Sequence, residues 1–398
     1  MSRIAPAKEL STAVPQGPSA AIAVLAVAAF VIVTTEFLIV GLLPAIARDL
    51  SISVARAGQL VTLFAVVVML FGPFLTAWLA NTNRKRLFIA ILVLFALSNG
   101  LAAMATNYWI LALARLMPAL ALPVFWGTAS ETAAQIAGPA KGGRAVSTVY
   151  LGISAAMLFG IPLGTLASDA IGWRGAFGLL AALSLLIALL TAWTMPATGA
   201  TPHVRMGDQA RILKSPFFVA NVVLSILVFT AMFTGYTYLA EMLETSAGIP
   251  PAMVGWWLMG FGAVGLVGNW LGGRWADRKP LATTIAFCLV LALGMAASTM
   301  LAAGAPAWFA GALVVWGIAN TALYPVCQIR VMKAASQAQA LAGTLNVSAA
   351  NGGIALGAMV GGFALSLLGA QYVGYVAAGA ALLAALAGLL VSRFSGRP

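Results

Sequence analysis

The run Ile32-Val33-Thr34-Thr35-Glu36-Phe37-Leu38-Ile39-Val40-Gly41-Leu42-Leu43-Pro44 places one carboxylate inside a stretch that is otherwise almost wholly apolar. The apolar stretch covers residues 21–45, and a helix needs about 20 such residues to cross a bilayer. A charged side chain at that depth costs on the order of 3 kcal/mol or more, so it usually faces a cavity, a partner or a proton path. The stretch predicts a membrane-spanning helix with a functional acid at Glu36.

The composition of the whole chain agrees with this first helix. Hydrophobic residues make up 62% of the 398 positions and charged residues only 8%, whereas soluble domains carry about 25% charged residues. Divided at its polar and Gly/Pro breaks, the chain contains twelve candidate spans, which predicts an all-α membrane protein. The predicted spans are 21–45, 57–80, 87–105, 108–136, 145–168, 175–195, 216–240, 252–275, 281–303, 307–331, 341–367 and 372–393.

The net charge of +12 is distributed unevenly between the two sides of the membrane. With the N-terminus in the cytoplasm, seventeen of the 21 Lys and Arg residues, Arg84 and Arg330 among them, fall in predicted cytoplasmic segments. The three arginines expected on the other side are Arg48, Arg56 and Arg174, and Arg115 falls within span 4. This is the positive-inside asymmetry. The charge therefore orients the chain in the bilayer and indicates no nucleic-acid partner.

The longest polar break, residues 196–215, divides six predicted spans from six. Across it a glycine repeat has a constant offset of 197, which pairs Gly58 with Gly255, Gly160 with Gly357 and Gly164 with Gly361. Two parallel halves that rock around a site at the membrane midplane are the transporter architecture that such a duplication implies. The predicted domains are a cytoplasmic tail 1–20, a half 21–195, a cytoplasmic linker 196–215, a half 216–393 and a cytoplasmic tail 394–398.

Several classes of function are excluded by what the chain lacks. The single histidine, His203, permits neither a histidine metal cluster nor a His-based catalytic triad. No Gly-rich loop with a lysine is present to cradle phosphates, which argues against a pump driven by ATP. The two cysteines, Cys288 and Cys327, are expected to be reduced and buried. The chain is predicted to be no enzyme and to need no metal or cofactor.

Glu36 and Arg115 are the candidate proton-coupling pair. Glu36 lies about 13 Å from the outer end of span 1, and Arg115 lies about 10 Å from the outer end of span 4. The two side chains share a depth, and a carboxylate beside a guanidinium stays ionised until something competes with it. The alternative is a static ion pair that holds spans 1 and 4 together.

Glu131 is a second acid in span 4, about 24 Å along the helix axis from Arg115, so these two residues cannot pair. It is expected near the cytoplasmic end, within reach of Lys141 or Arg144. One interpretation is an ion pair that closes the inner side of the protein. The other is a second proton site, and the sequence leaves both interpretations open.

Polar and aromatic residues on four spans form a candidate site for a solute. On span 10 they recur every four residues, as one stripe on a helix expected to face the centre. The candidate residues are Trp126, Tyr236, Tyr238, Trp316, Asn320, Tyr324, Gln328 and Asn346. Aromatic faces with a few amides suit an amphiphilic organic solute or a sugar. Hydrogen bonding between helices is the alternative for each amide.

These residues resemble a known family. Twelve spans in two halves, with a basic loop after span 2, resemble the major facilitator superfamily over nearly the whole chain. Within it, Thr34-Thr35-Glu36-Phe37, Phe125-Trp126 after Arg115, and Gly160-Ile161-Pro162-Leu163-Gly164 resemble the drug:proton antiporters. The nearest similarity is to the branch of bacterial sugar (arabinose-type), purine nucleoside and small-drug exporters. The resemblance implies a monomer.

The loop motif of that family is incomplete in this chain. After span 2 the family usually carries an aspartate before its basic run, and here that position is Ala80. The acid is present only in the second half, as Asp277 beside Arg278. The resemblance therefore implies gating contacts from Gly160, Pro162 and Gly164 of span 5 together with Asp277 and Arg278.

The expected function is proton-coupled antiport that exports a small organic solute across a bacterial inner membrane by alternating access. The partners would be the solute, protons and the lipid bilayer, with both termini in the cytoplasm. Proton-driven uptake or passive facilitation of a nutrient is the alternative. A sensor that does not transport is disfavoured, because the longest stretch outside the predicted spans is about twenty residues and leaves no room for a soluble domain.

Overall fold

The computed structural model describes residues 18–79, 82–138, 141–196, 210–304, 306–335 and 339–394. Within these residues the chain is almost entirely helical, which confirms the predicted all-α membrane fold. Most of the predicted linker 196–215, most of the tail 1–20 and the end of the tail 394–398 lie outside the described residues. The predicted domain boundaries therefore stay predictions.

The helices follow the predicted spans in order and extend several of them by a few residues. Spans 1 to 4 are Pro18–Asp49, Val54–Leu79, Arg84–Ala103 and Tyr108–Ala137. Spans 5 and 6 comprise Gly142–Ala155, a π-helical turn Ala156–Gly160 and the helix Ile161–Thr194. Span 7 is Pro216–Tyr236, followed by Leu239–Glu241 and a π-helical turn Met242–Ser246. Spans 8 to 12 are Pro251–Ala276, Pro280–Leu301, Pro306–Ala334, Gln339–Leu368 and Ala370–Phe394.

Gly172 separates spans 5 and 6 within one continuous helical stretch. The segment Arg144–Thr194 has 51 residues, about 77 Å of helix at 1.5 Å per residue, which is more than twice the hydrocarbon thickness. Gly172 interrupts it with φ 74° and ψ 160°, a conformation that glycine adopts without a steric penalty. The described residues contain 11 helical segments long and apolar enough to cross a membrane, and because Gly172 divides one of them they correspond to twelve spans.

The helices begin at polar residues that the sequence places between apolar runs. The Asn107 side chain accepts hydrogen bonds from the backbone N–H groups of Trp109 and Ile110 at the start of span 4. Asn83 and Ser215 cap spans 3 and 7 in the same way. Side-chain oxygens at these positions satisfy N–H groups that the first helical turn leaves without partners.

Contacts between the two halves lie near the membrane midplane and at one side of the membrane. We call the side that carries Arg84 the basic side and the other the opposite side. Near the midplane the rings of Phe37 and Phe233 lie 5.9 Å apart. At the opposite side, Arg48 of span 1 forms an ion pair of 2.5 Å with Glu244, beyond span 7. These contacts between halves close the opposite side in this conformation.

Glycines allow the backbones of spans 7 and 11 to approach closely. A Cβ added at Gly357 would lie 2.6 Å from the carbonyl oxygen of Thr230, and one at Gly361 would overlap the carbonyl oxygen of Thr234. Because the obstructing atoms belong to the backbone, no side-chain movement can relieve the overlap. We therefore interpret these glycines as packing residues that let spans 7 and 11 lie close together.

Replacing Gly357 with alanine should therefore destabilise the protein by about 1–3 kcal/mol, the usual cost of overpacking. The measurement is the midpoint temperature of unfolding in detergent, read from the fraction of heated protein that stays monodisperse. Gly379→Ala is the matched control, because nothing lies within 4 Å of a Cβ added at Gly379 in span 12. Equal midpoints for the two variants would contradict the packing interpretation.

Candidate functional site

Arg115 joins span 4 to span 1 in the interior of the membrane. Its side chain is 2% exposed. Nη1 donates a hydrogen bond of 2.6 Å to the carbonyl oxygen of Thr35, and Nη2 donates one of 2.7 Å to the carbonyl oxygen of Glu36. The guanidinium also lies over the ring of Phe64, 4.5 Å from its centroid. The arginine is thus held by backbone atoms at the residue that carries the acid.

The structure changes the predicted contact between Glu36 and Arg115 in one respect. The sequence predicted that the carboxylate itself would pair with the guanidinium. Among the ion pairs of the described residues, none within 4.0 Å involves Glu36. A carbonyl oxygen has a second lone pair beyond its helical hydrogen bond, so span 1 can satisfy the guanidinium without its carboxylate. The half-buried Glu36 carboxylate therefore forms no ion pair with Arg115 within this distance.

Four spans contribute side chains to the region around Glu36. Ring contacts link span 1 to span 7 through Phe37 and Phe233, with centroids 5.9 Å apart, and span 7 to span 10 through Phe229 and Tyr324. Arg115 of span 4 donates a hydrogen bond to the backbone carbonyl oxygen of Glu36. Electrostatic interactions of Glu36 with Arg115 and with Tyr324 place these predicted residues in one region of the interior.

An aromatic wall surrounds this cluster. Tyr236 stacks on Phe261 with ring centroids 5.7 Å apart and an interplanar angle of 26°. Phe229 meets Tyr324 edge to face at 5.2 Å. Farther along span 10, the Nε1 atom of Trp316 and the Oδ1 atom of the neighbouring Asn320 are buried and have no hydrogen-bond partner among the described residues. A buried donor and acceptor of this kind are available to a water molecule or a ligand.

Two of the predicted amides, Gln328 of span 10 and Asn346 of span 11, form a hydrogen-bonded chain with two residues that were not among the predicted site residues. Asn346 donates to Gln328 at 2.7 Å, Ser225 donates to Asn346 at 2.7 Å, and Arg330 donates to Ser225 at 2.8 Å. Arg330 was expected in a cytoplasmic segment, and the structure buries it within span 10 with 2% exposure. Its position before the end of an apolar helix was the only signal.

Two candidate solute residues are engaged elsewhere in this conformation. Tyr238 is 1% exposed, donates a hydrogen bond of 2.8 Å to the carbonyl oxygen of Ala358, and packs against Gly58 of the other half. Trp126 lies between the rings of Phe125 and Tyr150, with centroids at 5.2 and 5.7 Å. Tyr238 thus belongs to the contact between the two halves, and Trp126 packs within the first half.

Glu131 has a different partner from the predicted one. Its carboxylate forms an ion pair of 3.0 Å with Arg84, the first residue of span 3, and Arg84 is only 1% exposed. The predicted pairing with Lys141 or Arg144 was wrong for this conformation. The beginning of span 3 lies beside the end of span 4, a proximity between helices that spacing along one helix cannot indicate.

The predicted gating residues fall in two places. Gly160 and Gly164 of span 5 face Thr34 and Leu38 of span 1, so they border the turns above and below Glu36, and Pro162 lies between them. Asp277 and Arg278 are exposed at the end of span 8. The carbonyl oxygen of Asp277 accepts a hydrogen bond of 2.5 Å from Lys333, and its carboxylate joins none of the ion pairs of the described residues.

A buried amide that was not among the predicted site residues supports span 1. Asn99 of span 3 is 1% exposed and donates a hydrogen bond of 3.0 Å from Nδ2 to Oγ1 of Thr35. The carbonyl oxygen of Thr35 also accepts a hydrogen bond from Arg115, so spans 1, 3 and 4 are joined at this one residue. An asparagine in the middle of an apolar span was the available signal.

Comparison with known proteins places this geometry in a family. The family model of the Major Facilitator Superfamily matches residues 25–347 and 222–397. The inner membrane transport protein YdhP of Escherichia coli K12 is 36% identical over 365 residues, which covers 90% of this chain and 93% of that protein. A probable sugar efflux transporter of Helicobacter pylori J99 is 31% identical and covers 91% of this chain and 92% of that protein.

Solved structures agree in fold. A bacterial homologue of the human lysosomal transporter Spinster superposes with a TM-score of 0.78 at 16% identity, covering 94% of this chain and 97% of that one. The nucleoside transporter NupG gives a TM-score of 0.77 at 15% identity, covering 94% and 100%. The family match and the twelve-span fold identify a membrane transporter and not an enzyme. The chain belongs to the major facilitator superfamily.

Proposed function

We propose that this protein is a proton-coupled antiporter that exports a small organic solute by alternating access. The observation that carries the proposal is the position of Glu36, an acid inside the membrane that is outside any ion pair of the described residues. Arg115 lies beside Glu36 and donates a hydrogen bond to the backbone carbonyl oxygen of Glu36. An acid of this kind in a membrane interior is characteristic of proton relays in transporters.

The chemistry of the exchange follows from the charge on Glu36. When Glu36 is ionised, its charge is balanced by the nearby guanidinium of Arg115 and is open to a solute that presents a polar group. Protonation removes that charge, weakens the attraction between spans 1 and 4, and disfavours the solute. Proton and solute then compete for one site, which is what obligatory exchange requires.

The surroundings of Glu36 support an amphiphilic solute or a sugar. The aromatic wall offers ring faces, and the unpaired polar atoms of Trp316 and Asn320 offer one donor and one acceptor. The relative from Helicobacter pylori is named as a probable sugar efflux transporter, which favours export and a sugar-like solute. Proton-driven uptake or facilitation of a nutrient is the competing function.

The orientation and gating are part of the proposal. We take the basic side and both termini as cytoplasmic, so the conformation described is closed to the outside. The ion pair between Arg48 and Glu244 joins the halves at that closed side. Export would require this pair to open while the cytoplasmic side closes. The chain would work as a monomer in the inner membrane.

Glu36→Gln should abolish efflux driven by a pH gradient while leaving the protein folded, because the amide keeps the shape of the side chain but cannot ionise. The measurement is counterflow and gradient-driven export of a panel of pentoses, galactosides, nucleosides and phenicol drugs in proteoliposomes. Full gradient-driven export by the variant would contradict the assignment of Glu36.

Glu131→Gln is the discriminating control for the same experiment. Glu131 is already paired with Arg84, so its variant should keep proton coupling even if the overall rate falls. Loss of coupling in Glu131→Gln, with coupling kept in Glu36→Gln, would transfer the proton site to Glu131. Imposing the pH gradient with each sign separates export from uptake, and insensitivity to both signs would indicate facilitation.

The ion pair of Arg48 with Glu244 should bias the protein towards the conformation that is closed at the opposite side. Arg48→Ala is expected to raise the ratio of outward-open to outward-closed molecules by up to about fivefold, since an exposed ion pair is worth roughly 0.2–1 kcal/mol. Arg174→Ala is the matched control. Arg174 pairs with Asp49 at 2.6 Å on the same side, but both residues belong to the first half.

The populations can be measured from distances between spin labels at Ser53→Cys and Ala303→Cys, two exposed positions on the opposite side of the two halves. The native cysteines are free and buried, as predicted, so they compete little for the label. A shift of equal size in the Arg48 and Arg174 variants would mean that the pair between the halves has no special effect on the equilibrium.

A further inference from the structure

The hydrogen-bonded chain from Arg330 to Gln328 has a direction. It runs across spans 10, 7 and 11, from Arg330 through Ser225 and Asn346 to Gln328. Arg330, Ser225 and Asn346 are 2%, 0% and 3% exposed, whereas Gln328 is only half-buried. The chain thus connects a fully buried cation to one side chain that reaches accessible space.

All bonds of this chain run in one direction, away from the cation. A guanidinium has donors and no acceptor, so Arg330 can only donate to the hydroxyl of Ser225. Ser225 is fully buried and donates a hydrogen bond to Oδ1 of Asn346, and the amide nitrogen of Asn346 faces Gln328. Gln328 must then accept with its carbonyl oxygen. Reversing one amide would set two donors or two acceptors against each other inside the membrane.

The consequence appears at Gln328. The side-chain carbonyl oxygen of Gln328 already accepts the hydrogen bond from Asn346. The amide nitrogen of Gln328 makes only a weak contact, 3.6 Å from the sulfur of Met332, so it is the atom that can donate to a solute. Gln328 lies one helical turn from Tyr324, which itself interacts with Glu36. Gln328 therefore lies on the same stripe of span 10 as Tyr324, one turn closer to the basic side.

We propose that Arg330 is a positioning residue that makes Gln328 a hydrogen-bond donor, so that the second half binds solutes through an acceptor oxygen. This rests on the proposed function, since it treats Gln328 as part of the surface that the solute contacts. The ligand chemistry follows directly. Gln328 would bind a carbonyl, ether or hydroxyl oxygen of the solute, and it would not bind a group that can only donate a hydrogen bond.

A purely structural role for Arg330 would make a different prediction. If the chain served only to hold spans 7, 10 and 11 together, the direction of its bonds would not affect what Gln328 presents. Arg330→Lys preserves a cation that can only donate, and Asn346→Asp introduces a carboxylate that can only accept. Next to that carboxylate, Gln328 has to donate its amide nitrogen inward and expose its carbonyl oxygen instead.

The first test reads the orientation of Gln328 without any solute. Protein labelled with nitrogen-15 in its glutamine side chains is placed in nanodiscs, and the exchange of the Gln328 amide protons with water is measured. We expect fast exchange in the wild type and in Arg330→Lys. In Asn346→Asp the exchange should be about tenfold slower, the factor that a hydrogen bond to a charged group supplies. Gln328→Met identifies the resonance.

Slow exchange in the wild type, or equal exchange in the wild type and in Asn346→Asp, would overturn the proposal. An Arg330→Lys variant that behaves like Asn346→Asp would overturn it as well, because the donor would then not set the direction. If a variant does not fold, Gln328→Glu supplies a second reading. Its carboxylate ends the chain without a donor and should lose binding of solutes that offer only acceptors.

The second test uses methylated and deoxygenated pentosides as probes in the transport assay. A methyl ether keeps the acceptor oxygen and loses the donor, whereas a deoxy sugar loses both. Export of one methyl ether, with loss of the corresponding deoxy sugar, is expected in the wild type and not in Asn346→Asp. The exchange measurement stands by itself, so absence of pentoside transport together with fast Gln328 exchange would refute the proposed sugar-like solute and keep the assigned orientation.

Discussion

The bond between the Arg115 guanidinium and the backbone of span 1 is the constraint on which the centre of this protein depends. A cation in hydrocarbon is costly unless donors and charge are satisfied, and here the carbonyl oxygens of Thr35 and Glu36 accept its donors. Because both carbonyls belong to one helix turn, the arginine fixes the height and rotation of the helix that carries Glu36. The contacts of Phe37 with Phe233 and of Gly160 with Thr34 follow from that placement.

The chain has 21 basic residues and nine acidic ones, so most of its cations have no carboxylate of their own. The three buried arginines of the described residues each have a different kind of partner. Arg84 has the carboxylate of Glu131, Arg115 has two carbonyl oxygens, and Arg330 has the hydroxyl of Ser225. Neutral acceptors avoid the cost of burying a second charge, and they also leave Glu36 outside an ion pair.

Part of the site could be predicted from the sequence because it depends on depth alone. The sequence predicts Glu36 and Arg115 at similar depths, and it predicts Tyr324 as a site residue from the four-residue spacing on span 10. In the structure, both Arg115 and Tyr324 interact electrostatically with Glu36. The partners of Glu131 and Arg330 could not be predicted. Arg84 and Ser225, which contact them, lie on other helices, and a serine in an apolar helix is an ordinary residue that usually bonds its own backbone.

The sequence by itself determined the number of spans, their order and the approximate membrane depth of Glu36 and Arg115. These follow from a requirement that applies along the chain, because every backbone group and nearly every side chain in hydrocarbon must be apolar or internally satisfied. Only the tertiary structure decided which polar groups meet. A helix that is apolar on most of its faces carries little information about its rotation. Close packing between helices sets that rotation, and with it the partners of Glu131, Arg330 and Arg115.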